Sequence, residues 1–176
     1  MKLLKALLIV VVGIAAVLYG GGSLLSPEAT VQRSIVVNAA PQTVYALVAA
    51  PRAWKDWSVW TRRDPTMQIE YSGPESGSGA IWAWRSKSEG DGRMTFTDTT
   101  APSVLGYELY FPDFQSTSKG DFHFDAQGPA TRVTWTIHMM FPSPLMRWMG
   151  LFVDKMVGKD FDSGLANLKA VAEKAA

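Results

Sequence analysis

The feature that most constrains this chain is a charge-free apolar run near its N-terminus, residues 6–25. As a helix it would reach about 30 Å, the thickness of the hydrocarbon core of a bilayer. It has no polar face to meet water, which excludes a helix on the surface of a soluble domain. Lys2 and Lys5 precede the run, so the positive-inside rule keeps the N-terminus in the cytoplasm. We therefore predict an N-terminal transmembrane helix within residues 1–27 of a single-pass membrane protein, whose C-terminal domain lies on the non-cytoplasmic side.

A cleaved signal peptide is the alternative for this segment. The three glycines at positions 20–22 weaken the end of the run, and the remainder has the length of the apolar core of a secretory signal. A signal peptide also needs a small-x-small cleavage site, and residues 19–23 offer only a loose one. The leucines at positions 24 and 25 extend the apolar stretch towards the interface, which favours the uncleaved anchor.

Residues 28–176 have the length of one domain, close to the usual size of about 150 residues. The chain has 17 Lys and Arg against 16 Asp and Glu, a balance that gives no electrostatic case for nucleic acid as a partner. It contains no cysteine, which excludes disulfides, thiolate metal sites and cysteine nucleophiles. Its oligomeric state is not indicated.

Short β-branched and aromatic segments separated by turn residues predict a mainly antiparallel sheet. A first strand is expected over residues 31–37, followed by a helix that begins at Pro41 and ends before Pro51, and by a short helical turn over residues 52–57. Six more strands are expected over residues 67–72, 80–87, 93–99, 104–111, 116–125 and 130–141.

The last of these strands alternates strictly, with Val133, Trp135 and Ile137 on one face and Arg132, Thr134 and His138 on the other. Such a sheet has one dry and one wet face. After residue 144 the apolar spacing becomes helical, which predicts one long C-terminal helix, kinked or paused near Gly158. Its wide apolar stripe needs a large partner, and the dry face of the sheet supplies it. The fold class is therefore α+β.

The order of several short motifs resembles the START-related SRPBCC superfamily, which includes polyketide cyclases/dehydrases and lipid-transfer proteins. The motifs that carry the resemblance are Arg33-Ser34-Ile35-Val36-Val37, Pro51-Arg52-Ala53-Trp54, Ser72-Gly73-Pro74, Trp82 to Trp84, and Gly158-Lys159-Asp160-Phe161. The resemblance implies a helix-grip fold, a curved antiparallel sheet wrapped around the long C-terminal helix with a deep cavity between them. It implies no particular reaction, because the superfamily contains binders, transfer proteins and enzymes.

The chain is rich in Trp, Phe, Tyr and Met, residues that line apolar small-molecule sites and supply sparse polar handles. We expect residues 28–176 to bind a hydrophobic small molecule, lipid-like or polyketide-like, without a cofactor or metal. The expected ligand-binding residues are Trp57, Trp60, Tyr71, Trp82, Trp84, Tyr107, Phe111, Trp135, Met139, Met149 and Phe152. A solid aromatic core is the alternative for the same residues, and Trp57 and Trp60 could instead lie, with Trp54, at a membrane interface.

A cyclase- or dehydratase-type enzyme acting in the same cavity is the alternative function. It would need an acid or base with a shifted pKa inside the cavity. The strand alternation turns His123 and His138 outward, which also argues against a two-histidine metal site. Glu70, Arg85, Tyr71 and Tyr107 are the remaining candidates, and a pair formed by Glu70 and Arg85 is expected at the rim. An interaction module with a filled core is a third possibility.

Overall fold

The computed structural model describes residues 2–176, in which a long N-terminal helix precedes a seven-stranded sheet that grips a C-terminal helix. The helices are α1 (Lys2–Leu24), α2 (Pro41–Ala49), α3 (Trp54–Trp57), α4 (Val59–Arg63) and α5 (Pro144–Ala175). The strands are β1 (Glu28–Val37), β2 (Gln68–Ser72), β3 (Ile81–Arg85), β4 (Gly92–Thr100), β5 (Val104–Phe111), β6 (Ser116–Gln127) and β7 (Ala130–Met140). Single 3₁₀ turns occupy Pro51–Ala53 and Pro112–Phe114.

The sheet is antiparallel throughout, in the order β1-β7-β6-β5-β4-β3-β2. Strands β2 to β7 form a continuous meander, and β1 returns to pair with β7, where Val31 faces Ile137. The three short helices α2, α3 and α4 connect β1 to β2 at the opposite edge. This curved sheet with a long helix on its inner face is the α+β helix-grip architecture that the resemblance implied.

The alternation predicted for β7 is present in the structure. Val133, Trp135 and Ile137 are at most 4% exposed on the inner face, whereas His138 on the outer face is exposed. His123 is likewise on the wet side, with its Nε2 atom 3.1 Å from the Asp121 carboxylate. The sheet therefore has one dry and one wet face, and both histidines lie outside the core.

The C-terminal helix is continuous through Gly158, so the pause expected there is absent. A side chain at Gly158 would collide with the guanidinium of Arg33, which reaches across from β1. Arg33 forms ion pairs with Asp154 at 2.9 Å and Asp162 at 3.3 Å, one turn to either side of the glycine. Gly158 is thus a point of close packing against β1. At the start of the helix, the hydroxyl of Ser143 caps the first turn by accepting a hydrogen bond from the Met146 N–H.

The N-terminal helix α1 runs through its three glycines and ends at Leu24. Its side chains are exposed from residue 3 to residue 20, and the helix is long and apolar enough to cross a membrane. A signal sequence meets the same criterion. Only its last turns contact the domain, where they pack on the start of α5.

Candidate functional site

An apolar cavity of about 170 Å³ lies between the inner face of the sheet and α5. The residues that line it come from five strands, from α4 and α5, and from two connecting segments. They are Trp60, Met67, Trp82, Trp84, Glu89, Met94, Tyr107, Leu109, Phe111, Ser118, Trp135, Ile137, Met139, Val157, Asp160 and Phe161. In volume the cavity is smaller than the roughly 300–1,000 Å³ of most ligand sites. The internal space is therefore smaller than the deep cavity that the resemblance implied, but the core is not solid as the alternative expected.

The register of the sheet explains the wall of the cavity. Trp82 pairs with Met94 on the next strand, Met94 pairs with Leu109, and Leu109 pairs with Ser118. Directly opposed residues of neighbouring strands point to the same face, so these four side chains form one row across β3, β4, β5 and β6. The alternation that buries the core thus also builds the wall.

Most of the residues expected to bind a ligand line this cavity. They are Trp60, Trp82, Trp84, Tyr107, Phe111, Trp135 and Met139. The structure places these seven side chains around one cavity, and their role in ligand binding stays a prediction.

The other four expected residues lie elsewhere. Trp57 is fully buried, with its ring 5.8 Å from that of Trp135, and belongs to the solid core together with Trp54. Because both of these rings are buried, neither can lie at a membrane interface. Tyr71 lies on the edge strand β2, with the guanidinium of Arg52 4.4 Å above its ring. Met149 and Phe152 are more than half exposed at the start of α5, because the sheet covers only one side of that helix.

The buried polar groups around the cavity fall into a paired and an unpaired set. Trp135 Nε1 donates to the Tyr107 hydroxyl at 2.9 Å, and that hydroxyl donates to the Thr136 carbonyl at 2.9 Å. Burial raises the pKa of Tyr107 far above its usual value, so the phenol stays neutral. In contrast, Trp82 is 3% exposed, and its indole N–H has no hydrogen-bond partner among residues 2–176. One residue of the cavity wall therefore carries an unsatisfied buried donor.

A group of charged residues stands at one end of the cavity. Asp160 Oδ2 accepts from Trp60 Nε1 at 3.1 Å and from Arg63 Nη2 at 2.6 Å. Arg63 also approaches the Glu89 carboxylate at 3.7 Å. Since Trp60, Glu89 and Asp160 line the cavity, Arg63 ties together three pieces of its wall that come from α4, from the β3–β4 loop and from α5. We call these four residues the mouth.

The four candidates for acid–base chemistry do not converge. Glu70 and Arg85 form a pair at 4.0 Å whose side chains are more than two-thirds exposed, as expected for a rim pair. Tyr71 lies at the sheet edge, so Tyr107 alone of the four lines the cavity, and both of its hydroxyl contacts are occupied. Among residues 2–176, moreover, no cluster of three or more His, Asp or Glu side chains is placed to hold a metal ion.

The carboxylates of the mouth, Glu89 and Asp160, are functional candidates that the sequence alone does not single out. Glu89 lies in a turn, and nothing in its local pattern indicates a cavity. Asp160 precedes Phe161 by one residue and follows Val157 by three, and helical periodicity would have placed it at the border of the buried face. Met94, Leu109 and Ser118 could have been found from strand phase once the pairing of the strands was known.

The sequence model of a family described as polyketide cyclase / dehydrase and lipid transport matches residues 28–173. Among solved structures, protein CV1439 from Chromobacterium violaceum superposes with a TM-score of 0.60 at 12% identity, over 82% of this chain and 96% of that one. Protein Ms6760 from Mycobacterium smegmatis gives 0.58 at 16% identity, over 84% and 92% of the two chains.

The di-domain ARO/CYC protein BexL from the BE-7585A biosynthetic pathway gives a TM-score of 0.59 at 13% identity. That match covers 84% of this chain and 50% of BexL. At such identities the likeness shows a common fold. No curated protein matches the chain.

Proposed function

Because the chain belongs to the polyketide cyclase / dehydrase and lipid transport family, we propose that it binds or transfers a hydrophobic small molecule, lipid-like or polyketide-like, in the cavity under α5. The observation that carries the proposal is an apolar cavity whose wall includes Trp82, a buried residue with an unpaired indole N–H. A buried donor without a partner costs about 1–3 kcal/mol, which a ligand with an oxygen acceptor would recover. The ligand would therefore combine an apolar body with a carbonyl, ether or hydroxyl oxygen.

The contacts of such a ligand would be with the aromatic residues that line the cavity. Trp60, Trp84, Phe111 and Met139 offer ring faces and a thioether around the space next to Trp82. These groups contact apolar surface of varied shape, which suits a site that accepts related ligands. A ligand larger than the present cavity would need its wall to move, and methionines and short connecting segments are the parts best able to do so.

The mouth offers the route of entry. Arg63 is about half exposed, and its ion pairs join α4 to α5 and to the β3–β4 loop, together with the hydrogen bond from Trp60 to Asp160. Opening at this point would break both ion pairs and the hydrogen bond from Trp60 to Asp160. Movement of Trp60 away from Asp160 would connect the cavity with its surroundings.

We place this function at a membrane, with residues 1–27 as a single-pass anchor and residues 28–176 as the ligand-binding domain on the non-cytoplasmic side. Lys2 and Lys5 at the cytoplasmic end and the length of α1 support this arrangement. A tethered domain stays in the layer where a bilayer-soluble ligand is concentrated. N-terminal sequencing of the mature protein tests the anchor, because a cleaved signal would leave a chain that begins after residue 19.

Ligand uptake tests the binding function directly. The full chain, purified in detergent, is incubated with a total lipid extract, and bound compounds are identified by mass spectrometry. Ser118→Leu places a larger side chain in the cavity and should abolish uptake. Thr117→Leu is the matched control, since Thr117 is the exposed neighbour on the opposite face of β6.

Circular dichroism confirms that both variants fold. Equal uptake by Ser118→Leu and Thr117→Leu would contradict binding in this cavity, and no uptake by the parent chain would contradict the carrier function altogether.

A cyclase or dehydratase is the second candidate, favoured by the two carboxylates that line the cavity, Asp160 and Glu89. Either could exchange a proton with a bound carbonyl compound once Arg63 has moved away. Asp160→Asn distinguishes the two functions. For an enzyme, conversion of the captured compound is lost while its uptake remains, and for a carrier no conversion is seen with either protein.

A further inference from the structure

The first half of α5 exposes a line of large apolar side chains. Leu145, Met149, Phe152 and Met156 are each more than half exposed, and their spacing of four, three and four residues places them on one face of the helix. The line is about 17 Å long. Contiguous apolar surface of this extent is unusual for a face in contact with water and marks a binding surface. We call these four residues the apolar stripe.

The stripe begins where α5 is fastened to the end of α1. Trp148 Nε1 donates to the Leu18 carbonyl at 2.9 Å, and Arg147 Nη1 donates to the Ser23 carbonyl at 3.2 Å. A side chain at Gly21 would meet the Trp148 ring at 2.9 Å, and one at Gly22 would collide with the carbonyl of Pro144. The glycines of α1 thus permit close contact of the two helices, and this contact fixes the depth of α5 relative to the apolar helix.

That depth corresponds to the membrane interface. The Trp148 ring lies against Gly21 and Gly22, so it is within about 5 Å of the end, at Leu24, of a helix that is long enough to span the hydrocarbon core. Tryptophan is the residue that favours this level of a bilayer. The stripe starts beside Trp148, so its first residues lie at the same level.

The charges around the stripe suit a lipid headgroup layer. Lys155 and Lys159 are exposed, each three residues beyond a stripe residue, and can extend their amines towards phosphates. The nearby acids Asp154 and Asp162 are both paired with Arg33. Lys155, Lys159 and Arg33 together outweigh the two carboxylates by one positive charge.

From these contacts we propose that the stripe is a second membrane-binding surface, which lies in the interface of a bilayer with anionic headgroups next to α1. The proposal rests on the anchor of the proposed function. Its consequence follows from the next turn of α5, where Val157, Asp160 and Phe161 line the cavity. The mouth then stands at the bilayer surface, and a hydrophobic ligand passes between lipid and cavity without crossing water.

Site-directed fluorescence tests the proposal, and the absence of native cysteine makes each introduced thiol unique. Full-length Phe152→Cys, labelled with an environment-sensitive dye, is reconstituted in phosphatidylcholine vesicles with and without phosphatidylglycerol, and brominated lipids serve as quenchers. Ala170→Cys, exposed near the far end of α5, is the matched control, and Val11→Cys reports on α1. We expect a blue shift and several-fold stronger quenching at position 152 than at position 170. We also expect stronger quenching with phosphatidylglycerol, an increase that is lost in Lys155→Glu/Lys159→Glu.

The failures are distinguishable. Quenching at position 11 together with a water-exposed label at position 152 would overturn the second surface and leave the anchor intact. No quenching at position 11 would contradict the anchor itself. A label at position 152 that is shielded from lipid, but cross-links between two chains, would make the stripe a contact between copies and overturn the proposal.

Discussion

The two tryptophans Trp82 and Trp135 allow the cavity to be tested without a known ligand. Both are almost fully buried and both line the cavity, but the N–H of Trp135 is bonded to Tyr107 and that of Trp82 is not. Replacing either residue with Phe removes the N–H and shortens the ring. The loss of ring volume should cost about 1–2 kcal/mol in each variant, a fraction of the ~3–5 kcal/mol for truncation of an aromatic residue to Ala.

The hydrogen-bond contribution has opposite signs at the two sites. Trp135→Phe also loses a bond with a net contribution of about 0.5–1.5 kcal/mol, for a total of roughly 2–3 kcal/mol. Trp82→Phe removes an unsatisfied donor whose burial costs about 1–3 kcal/mol, and this gain offsets the lost volume. We therefore expect the free energy of unfolding to change little in Trp82→Phe and to fall by about 2 kcal/mol or more in Trp135→Phe.

Denaturant unfolding of the full chain in detergent, followed by far-UV circular dichroism, measures the difference without depending on tryptophan fluorescence. Equal destabilisation of the two variants would refute the reasoning, because the donor of Trp82 would then be satisfied in the ligand-free protein. Ligand uptake supplies a second reading, in which Trp82→Phe should bind about tenfold more weakly, the equivalent of one hydrogen bond.

Three further predictions concern a glycine, a buried tyrosine and a hydrogen-bonded carboxylate. Gly120→Ala should destabilise the fold by about 3 kcal/mol in denaturant unfolding, because its methyl group would collide with the Thr136 carbonyl and the Tyr107 ring. Ultraviolet titration should show that Tyr107 does not ionise in the folded protein near pH 10, because burial raises its pKa. Above pH 10, the approximate pKa of tyrosine in the unfolded chain, the free energy of unfolding should therefore fall by about 1.4 kcal/mol per pH unit. Tyr107→Phe should reduce this slope. Ser86→Ala should bring the pKa of Asp64 back up towards its ordinary range, as followed by carboxyl NMR signals, because hydrogen bonding by Ser86 is the main cause that lowers it.

The sheet could be read from the sequence because its physical signal is local. A strand with one dry face must alternate, and β5, predicted over residues 104–111, is found as Val104–Phe111. The helical spacing after residue 144 likewise predicted α5. Gly158 suggests a weak point in the helix when only local sequence is considered, whereas in the structure it makes room for Arg33 from a strand more than a hundred residues away.

The site was harder to predict from the sequence than the sheet, because periodicity indicates which residues lie on an apolar face but not which elements cover that face. The apolar side of α5 is wider than the sheet can bury. Met149 and Phe152 therefore follow the same helical spacing of apolar residues as the buried Val153 and Phe161. Trp57 differs from Trp60 only in tertiary packing. The mouth depends on contacts between Arg63 and residues distant in sequence, for which no short motif exists.

The interior is packed unevenly along α5, and this distribution determines where a ligand could enter. Towards α3, the rings of Trp135 and Phe161 stack at 3.8 Å and Trp54 packs edge-on against Trp135 at 5.8 Å, so this side of the cavity wall is closely packed. Towards α4, the cavity wall includes the flexible side chains of Met67 and Met139. Close-packed rings resist rearrangement, whereas methionines repack readily, so expansion of the cavity must proceed from the mouth. The mouth is formed where the apolar stripe of α5 ends. The part of the fold that can open is therefore next to the proposed membrane-binding surface.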